Sequence, residues 1–213
     1  TSIVFSNTLG NFFITNLDDS LYMANIDRLS KLSVQDFYAM FFTFIAGNYH
    51  PLAILSLTID FGFAGQHAFL YHFENYILHI ANVCLVFWFI YMLVKKINVA
   101  LIVALFFAIH PMHVESVAWI SERKDVLYSL FFLTSLIAYL FYLGDDKKYK
   151  YFVYAFVFFI LSLMSKSAAV CLPPVLLLID YYCGRKFTRA AILEKIPFFV
   201  LSLFFGILAI YSQ

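Results

Sequence analysis

The sequence predicts an all-α membrane protein that crosses the lipid bilayer several times. Of its 213 residues, 63% are hydrophobic and only 13% are charged, whereas a soluble domain carries about 25% charged residues. Several apolar runs approach the length of membrane helices and are separated by short polar segments. The formal net charge is +1, so charge gives no argument for a nucleic-acid partner. We expect a polytopic helical bundle surrounded by membrane lipids.

The first part of the chain predicts a long loop outside the membrane core. Ser2 to Phe13 is a short apolar run, expected to be the outer end of a membrane helix, and a polar step with Asp18 and Asp19 follows it. Between residues 22 and 66 charged and apolar residues mix, and no stretch reaches the roughly 20 apolar residues that a crossing helix needs. We therefore expect residues 14–69 to form one outer loop, too long to be a plain connection.

Two helices are predicted inside this loop. Ser33 fits the N-cap of a helix that runs to Ile45, because apolar residues follow at helical spacing, namely Phe37, Met40, Phe41 and Phe44. The segment 47–51 ends this helix, and residues 52–61 can form a second one. Amphipathic helices of this kind lie in the interface plane of a membrane.

The next two apolar runs differ in length. Residues 71–94 predict a complete membrane span, closed by Lys95 and Lys96. Residues 97–109 rise only about 20 Å, at about 1.5 Å per residue, against a hydrocarbon core of about 30 Å. We therefore expect His110 in a recess below the far surface.

The remaining membrane segments are shorter or interrupted. Lys166 lies at the predicted tip of a hairpin, and Pro173 and Pro174 should bend or break its second arm. The predicted segments are residues 126–143, 151–164, 168–182 and 197–211. The runs together predict about seven membrane segments in a single transmembrane domain over residues 1–213.

The distribution of positive charge predicts the orientation in the membrane. Lys and Arg are enriched in cytoplasmic loops, and nine of the fourteen share one side if that side holds Lys95–Lys96, residues 145–150 and residues 185–195. The outer side then receives Asp18–Asp19, the long loop and Lys166. All six histidines fall on or near that side, at His50, His67, His72, His79, His110 and His113.

The segment from His110 to Asp125, H-P-M-H-V-E-S-V-A-W-I-S-E-R-K-D, is the candidate site. Apolar runs flank it on both sides, yet it is rich in ionisable side chains. Ionisable groups near membrane depth are costly unless they face water or a protein partner. The cluster therefore indicates a functional cavity on the outer side.

The residue types on this side suit a substrate with an anionic head and a lipid tail. Arg and Lys side chains bind phosphate groups, and the candidates are Arg123, Lys124 and Lys166. Asp18 or Asp19 could act as a general base on an acceptor hydroxyl. His110 and His113 could donate hydrogen bonds to a leaving phosphate.

Each of these features also has a simpler interpretation. The Asp pair could cap a solvated helix end, residues 122–125 could be a hydrated loop, and Lys166 could extend to the membrane interface. The H-x-x-H spacing resembles zinc ligands, but Pro111 intervenes and no third ligand is evident, so no metal site is predicted. Three cysteines without CxxC spacing are predicted to be small buried hydrophobic residues, at Cys84, Cys171 and Cys183.

Four motifs resemble, in order, those of the membrane region of the transmembrane and tetratricopeptide-repeat protein family. They are N-L-D-D-S-L-Y near the start, G-N-Y-H-P-L at 47–52, the segment 110–127, and S-K-S-A-A-V-C-L-P-P-V-L-L-L-I-D-Y at 165–181. This family is similar in membrane architecture to GT-C glycosyltransferases, and its animal members are protein O-mannosyltransferases of the endoplasmic reticulum. The resemblance implies a GT-C-like helical bundle, and we expect the soluble repeat domain to be absent from this chain.

The resemblance also implies roles for individual residues. Asp18 and Asp19 match an acidic motif of the first outer loop, near the catalytic base. The segment 110–125 would lie near the donor, a polyprenyl or dolichyl phosphate sugar, with three supporting residues, Glu115, Asp125 and His50. We expect no firmly bound cofactor, and an assisting divalent cation is the open alternative.

Three functions remain open on the sequence alone. The first is a glycosyltransferase that moves a mannose-like sugar from a lipid phosphate to a hydroxyl acceptor, expected to be protein Ser or Thr, on the outer face of a bacterial inner membrane or a eukaryotic endoplasmic reticulum membrane. The second is a non-catalytic scaffold that contacts neighbouring subunits of a larger complex. The third is a proton or solute pathway through Glu74, His79 and His110, which the apolar inner halves of the spans disfavour.

Overall fold

A computed structural model describes residues 5–13, 18–29, 33–45, 47–144, 148–186 and 188–212. These residues form α-helices, short 3₁₀ turns and connecting segments, with one isolated bridge between Ile45 and Asn48 and no β-strand. The predicted all-α fold is therefore confirmed. Within this part, three helical stretches are long and apolar enough to cross a membrane: Ala68–Val94, Ile120–Leu143 and Arg189–Ser212.

Three shorter helices precede the first of these spans. They are α1 at Asp18–Leu29, α2 at Val34–Phe42 and α3 at Pro51–Ala64. The predicted N-cap of α2 is confirmed, because the Ser33 hydroxyl accepts the Asp36 N–H at 3.2 Å and the Asp36 carboxylate accepts the Ser33 N–H at 2.8 Å. These reciprocal bonds satisfy backbone groups that a helix start otherwise leaves free.

Helix α1 was not predicted from the sequence. Its buried face consists of Tyr22, Ile26 and Leu29, which pack in one cluster with Leu57 of α3. This is the i, i+4, i+7 pattern of an amphipathic helix. Leu21, Met23 and Ala24 are apolar as well, so the apolar residues do not mark a single face in the sequence.

In the described residues from 68 onward, the bundle is a series of eight helices. They are α4 at Ala68–Val94, α5 at Ile97–Ile109, α6 at His113–Ala118, α7 at Arg123–Leu143, α8 at Tyr149–Ser165, α9 at Leu172–Tyr182, α10 at Arg189–Leu193 and α11 at Ile196–Ser212. Two 3₁₀ turns, Ile120–Glu122 and Ser167–Cys171, lead directly into α7 and α9. A tight turn joins α4 to α5, with Lys95 in the left-handed region at φ 56°.

The apolar run at the N-terminus differs from its prediction. Its first residues lie outside the described part, and the rest forms a 3₁₀ turn at Ser6–Gly10 rather than the end of a membrane helix. The Thr8 hydroxyl donates to the Phe5 carbonyl at 2.7 Å, a local bond that competes with regular helix formation. Phe5 is buried and meets the His79 ring of α4 edge-on, with centroids 5.2 Å apart.

The predicted break in the second arm of the hairpin lies before the two prolines. The 3₁₀ turn that ends at Cys171 gives way to α9 at Leu172, and Pro173 and Pro174 occupy the first turn of that helix. Proline is tolerated there, because the first helical N–H groups have no acceptor within the helix. The arm is therefore interrupted by a change of helix type and not by a proline kink.

Aromatic packing holds α8 and α11 together. The Phe198 ring of α11 contacts Phe152, Phe156 and Phe159 of α8, with centroids 5.1–5.6 Å apart. Ring pairs of this kind add about 0.5–1.5 kcal/mol each beyond the burial of their surface. These rings belong to the largest buried cluster of the described residues, which also includes side chains of α7 and α9.

A buried ion network lies near the C-terminal end of α7. Lys195 is fully buried, with Nζ 2.5 Å from Asp180 Oδ2, and the Tyr139 hydroxyl donates to Asp180 Oδ1 at 2.6 Å. Arg185 lies 3.7 Å from Asp180 and donates to Glu194 at 2.7 Å. The network ties α7 and α9 to the segment that leads into α11.

Candidate functional site

Arg123, one of the predicted phosphate ligands, is fully buried and paired within the protein. Its Nη1 pairs with Asp60 of α3 at 2.5 Å and with Glu74 of α4, its Nε donates to Asn75 at 2.7 Å, and its Nη2 donates to the Tyr71 carbonyl at 2.8 Å. Burial raises the pKa of Asp60, Arg123 opposes that rise, and Glu74 adds to it. These partners occupy the guanidinium within the protein. The phosphate-binding role of Arg123 stays a prediction.

Lys124 is also engaged within the protein. Its Nζ lies 2.7 Å from Glu122 Oε1 and 5.7 Å from the centroid of the Tyr22 ring. The Tyr22 hydroxyl is 2.9 Å from Nε2 of His50, which is buried. Burial lowers the pKa of His50 to about 3, and the nearby charges of Lys124 and Lys166 act in the same direction. Lys124 therefore belongs to a packed polar group in which His50 stays neutral.

Asp19 and the candidate segment come together in the structure. Asp19 is buried, and its Oδ1 accepts the backbone N–H of Ser121 at 3.0 Å. Asp19 of the predicted long loop thus lies against the 3₁₀ turn Ile120–Glu122. Asp18 is the first residue of α1, but its side chain lies outside the described part.

Lys166 is the predicted cation that remains accessible. It forms an ion pair with Asp125, lies 3.7 Å from Glu122 Oε2, and keeps 31% of its side chain exposed. Asp125 is held in turn by the Ser116 hydroxyl at 3.1 Å. Lys166 and Asp125 line a cavity of about 160 Å³, together with other polar side chains that include His79, Asn82, His113, Ser116 and Ser129. This polar cavity can accept a small charged group.

An apolar groove adjoins the polar cavity. Its volume is about 270 Å³, and three of its lining residues, Phe107, Tyr128 and Ser129, also line the polar cavity. The rest of its lining is Phe132, Leu133 and Cys171. Because the two spaces share a wall of residues, a ligand could place a polar head in the cavity and an apolar chain in the groove.

The residues of the predicted segment around α6 face in different directions. His113 lines the polar cavity, and burial lowers its pKa, with His110 acting in the same direction and Asp125 opposing it. His110 is exposed rather than recessed, because the turn after α5 folds its Nδ1 back to accept the Met112 N–H at 3.2 Å. Glu115 is also exposed, because helical periodicity places it on the face of α6 opposite to the cavity. Among the described residues, no contact of the Glu115 side chain supports its predicted role.

The sequence contained part of the signal for Asn75 and Asn82, which the predicted site left out, as well as for His79. Asn75, His79 and Asn82 recur along one face of α4, and all three are buried. Polar residues at helical spacing in a membrane span indicate a polar interior face. Asn75 and Asn82 each donate to a backbone carbonyl, of Trp119 at 3.1 Å and of Val126 at 2.9 Å. This face of α4 therefore holds the backbone of the candidate segment, and of Val126 directly after it, through hydrogen bonds.

No metal site is evident in the part of the chain that the structure describes. Within it, no three His, Cys, Asp or Glu side chains come together as a metal ion requires. His79, His110 and His113 do approach one another, with ring centroids of neighbouring pairs 5.5 and 5.9 Å apart. The rings of His79 and His113 also pack against Phe107.

A comparison with known families finds a match for most of the chain. A family model described as dolichyl-phosphate-mannose-protein mannosyltransferase matches residues 71–212, more than half of the chain. The chain belongs to the dolichyl-phosphate-mannose-protein mannosyltransferase family. The mannosyltransferase match covers the polar cavity and the apolar groove, whereas Asp19 and His50 lie before its first residue.

Individual relatives place the chain more narrowly within the mannosyltransferases. The mouse protein O-mannosyl-transferase TMTC1 is 37% identical over 93 residues, 43% of this chain and 10% of the relative. The human protein O-mannosyl-transferase TMTC2 is 39% identical over 93 residues, 44% of this chain and 11% of the relative. The Xenopus laevis protein O-mannosyl-transferase tmtc2 is 33% identical over 145 residues, 65% of this chain and 17% of the relative.

These matches confirm the family resemblance carried by the motifs. The chain spans only between a tenth and about a sixth of the length of these relatives. No solved structure matches the chain. The family and the membrane location are therefore established, while the reaction is inferred from the site.

Proposed function

We propose that this chain is the membrane part of a glycosyltransferase that moves a mannose-like sugar from a polyprenyl or dolichyl phosphate to the hydroxyl of a protein serine or threonine. The observation that carries this proposal is the polar cavity at Lys166, which adjoins an apolar groove. A lipid phosphate has a head and a tail that match these two spaces. Membership of the mannosyltransferase family supports the class of donor, and the names of the relatives support a protein acceptor.

The donor phosphate would bind beside Lys166. Lys166 pairs with Asp125 in the structure. A phosphate that took the place of the Asp125 carboxylate would balance the positive charge of Lys166. His113 lines the same cavity and, because its pKa is lowered, is a neutral donor of a hydrogen bond near pH 7. The prenyl chain would run between Phe107 of α5 and Leu133 of α7.

Asp19 is the proposed general base. Its carboxylate takes the proton of the acceptor hydroxyl while the hydroxyl oxygen forms a bond to the anomeric carbon of the sugar. The bond from that carbon to the phosphate oxygen breaks, and its electron pair leaves with the phosphate. Lys166 neutralises the charge that develops there. A direct displacement of this kind inverts the configuration of the anomeric carbon.

The site would face the outer side of the membrane. The inner side would carry the Lys- and Arg-rich loops, following the distribution of positive charge. In a bacterium the membrane would be the inner membrane, and in a eukaryote that of the endoplasmic reticulum. The acceptor protein would then be secreted, lumenal or exposed at the surface.

The proposal is tested with a radiolabelled polyprenyl phosphate mannose and a synthetic threonine peptide. K166M should weaken donor binding about tenfold to a hundredfold, because it removes a charge-assisted hydrogen bond to the phosphate. D19N should leave donor binding unchanged and slow transfer by about 10²–10⁴. The control K96M alters an exposed lysine of the α4–α5 turn and should behave as wild type. D18N is measured alongside, and full activity in both D18N and D19N would remove the assigned base.

A non-catalytic membrane subunit is the second candidate. It is favoured by the pairing of Arg123 and Lys124 within the protein, because two of the three cations predicted to bind the phosphate then contact other side chains of the fold. Wild-type protein that is folded but binds neither the lipid phosphate nor the peptide would favour this candidate over the transferase.

A further inference from the structure

Asn82 of α4 has a hydrogen-bond acceptor that the fold does not use. Its side chain is 1% exposed and lines the polar cavity, together with Lys166 and Asp125. Its Nδ2 donates to the Val126 carbonyl at 2.9 Å, and because only the NH₂ end of an amide can donate to a carbonyl, this bond fixes the orientation of the Asn82 amide. In the part of the chain that the structure describes, no group donates to Asn82 Oδ1.

Asn75, on the same face of α4, shows what an amide used only by the fold looks like. Its Nδ2 donates to the Trp119 carbonyl at 3.1 Å, and its Oδ1 accepts the Arg123 Nε–H at 2.7 Å. Both ends of the Asn75 amide are therefore engaged. A buried acceptor without a donor lowers stability, and polar side chains inside a membrane span are typical of functional sites. The Oδ1 atom of Asn82 is thus a candidate contact for a ligand.

The chemistry of this atom selects one part of the proposed donor. An amide oxygen accepts hydrogen bonds and cannot donate them. The prenyl chain of a lipid phosphate sugar has no polar hydrogen, and its phosphodiester is an anion whose oxygens only accept. The hydroxyl groups of the sugar are the hydrogen-bond donors of such a molecule.

The positions of the amide and the cation also fit a sugar joined to a phosphate. Asn82 is bonded to Val126, and Lys166 is paired with Asp125, the preceding residue in the first turn of α7. Two successive residues therefore hold the two polar groups. In the donor, a single oxygen atom joins the sugar to the phosphate, so the groups that bind them must be similarly close.

We propose that Asn82 binds the sugar of the donor by accepting a hydrogen bond from one of its hydroxyl groups at Oδ1, while Lys166 binds the phosphate. Asn82 then distinguishes a lipid phosphate that carries a sugar from one that does not. The lipid phosphate left after transfer lacks this hydrogen bond, so Asn82 also favours exchange of the product for a new donor. The inference rests on the proposed transferase function and adds a residue that selects the donor.

The experiment compares lipids that differ only in the sugar. Binding to the full chain in detergent is measured for polyprenyl phosphate mannose, for its four monodeoxy analogues, and for polyprenyl methyl phosphate, a phosphodiester of the same charge without a sugar. N82L removes the acceptor with little change in volume, and N75L is the matched control on the same face of α4. Thermal unfolding verifies that each variant is folded, and transfer to a threonine peptide is measured separately.

One hydrogen bond sets the expected size of the effect. N82L should bind polyprenyl phosphate mannose about threefold to tenfold more weakly than wild type does, and should bind the methyl phosphodiester equally well. In wild type, one monodeoxy donor should bind more weakly by the same factor, and N82L should no longer distinguish that analogue from the mannose donor. N75L should unfold at a lower temperature and keep the wild-type ratio of the two affinities.

Two results would overturn the role of Asn82: equal weakening of both lipids in N82L, or a wild type that binds every monodeoxy donor as tightly as the mannose donor. The second result needs no variant, so it decides the question even if N82L does not fold. If transfer to the peptide persists in either case, the proposed function stands without this contact. Binding that follows the expected pattern without any transfer would instead contradict the proposed function and keep Asn82 as a sugar contact.

Discussion

Two of the predicted phosphate-binding cations show how burial decides the role of a side chain. Arg123 is fully buried and has two carboxylates, an amide and a carbonyl as partners. Lys166 is partly exposed and lies at the wall of a cavity. A buried charge must be paired to be tolerated, so Arg123 serves the fold, whereas Lys166 can exchange its partner for a ligand.

Loss of Arg123 should therefore destabilise the protein. R123M leaves Asp60 and Glu74 as neighbouring carboxylates without their cation, and removal of one partner from a buried pair costs about 3–5 kcal/mol. We expect a lower yield of folded protein and a lower thermal unfolding midpoint in detergent. R189M, at an exposed arginine of α10, is the control. A stable R123M with only weakened donor binding would make Arg123 a phosphate ligand after all.

His50 should make the stability of the protein depend on pH. Burial holds its pKa at about 3 in the folded protein, below the ordinary value of 6.5, so an unfolded chain takes up a proton at this residue that the folded chain does not. Stability from His50 is therefore present above pH 6.5 and is lost as the pH falls toward 3. H50N should show a smaller loss than wild type in denaturant unfolding curves at pH 7 and pH 5. Equal losses in the two proteins would mean that His50 is protonated in the folded state.

At the scale of elements, α7 and α5 together line the apolar groove. Phe132 and Leu133 of α7 and Phe107 of α5 line it, and the polar cavity begins where Tyr128 and Ser129 replace the apolar residues. Along α7, the lining residues are polar near the first turns of the helix and apolar further along it. A lipid phosphate would therefore lie along this helix with its head near the outer end.

Filling the groove should affect long donors more than short ones. L133W places a larger side chain where the prenyl chain would run, and each buried methylene of the lipid contributes about 0.8 kcal/mol to binding. Donors with a long prenyl chain should lose affinity, while a donor cut to one or two isoprene units should bind L133W as it binds wild type. Binding of both donors is measured by competition with the radiolabelled lipid. F106W, on the exposed face of α5, is the control, and an equal loss for long and short donors would argue against the groove.

The elements differ in how far the sequence determines them. Helix α4 and the short α5 follow from the length of their apolar runs, and the capping box of α2 follows from Ser33 and Asp36. The pairing of Arg123 with Asp60 joins residues 63 positions apart and depends on how α3 packs against α7, which no local pattern contains. For the same reason the sequence grouped Arg123, Lys124 and Lys166 by charge, although only their packing distinguishes them.

At the scale of the whole molecule, α7 is held by ion networks near both of its ends. Arg123 ties its start to α3 and α4, and Tyr139 ties its end to Asp180 and through it to Lys195. Sixteen residues separate Arg123 from Tyr139, a rise of about 24 Å along an α-helix, compared with about 30 Å for the hydrocarbon core. In a membrane that α7 crosses, the two networks would lie near opposite faces.

This arrangement predicts which cysteines an impermeant reagent can reach. In a chain with Cys84 and Cys171 replaced by serine, a cysteine introduced at the exposed Asp27 of α1 should react with a membrane-impermeant maleimide in intact cells. Cys84, Cys171 and Cys183 are all exposed, so the predicted burial of the cysteines is wrong. The native Cys183, which lies close to Arg185, should react only after the membrane is opened. The positive charges around Cys183 are the reason, because such loops are retained on the cytoplasmic side. Labelling of both cysteines from the same side would place the Lys166 cavity and the Arg185 loop on the same face of the membrane. The proposed site could not then be accessible to an acceptor on the outer side while the Arg185 loop is cytoplasmic.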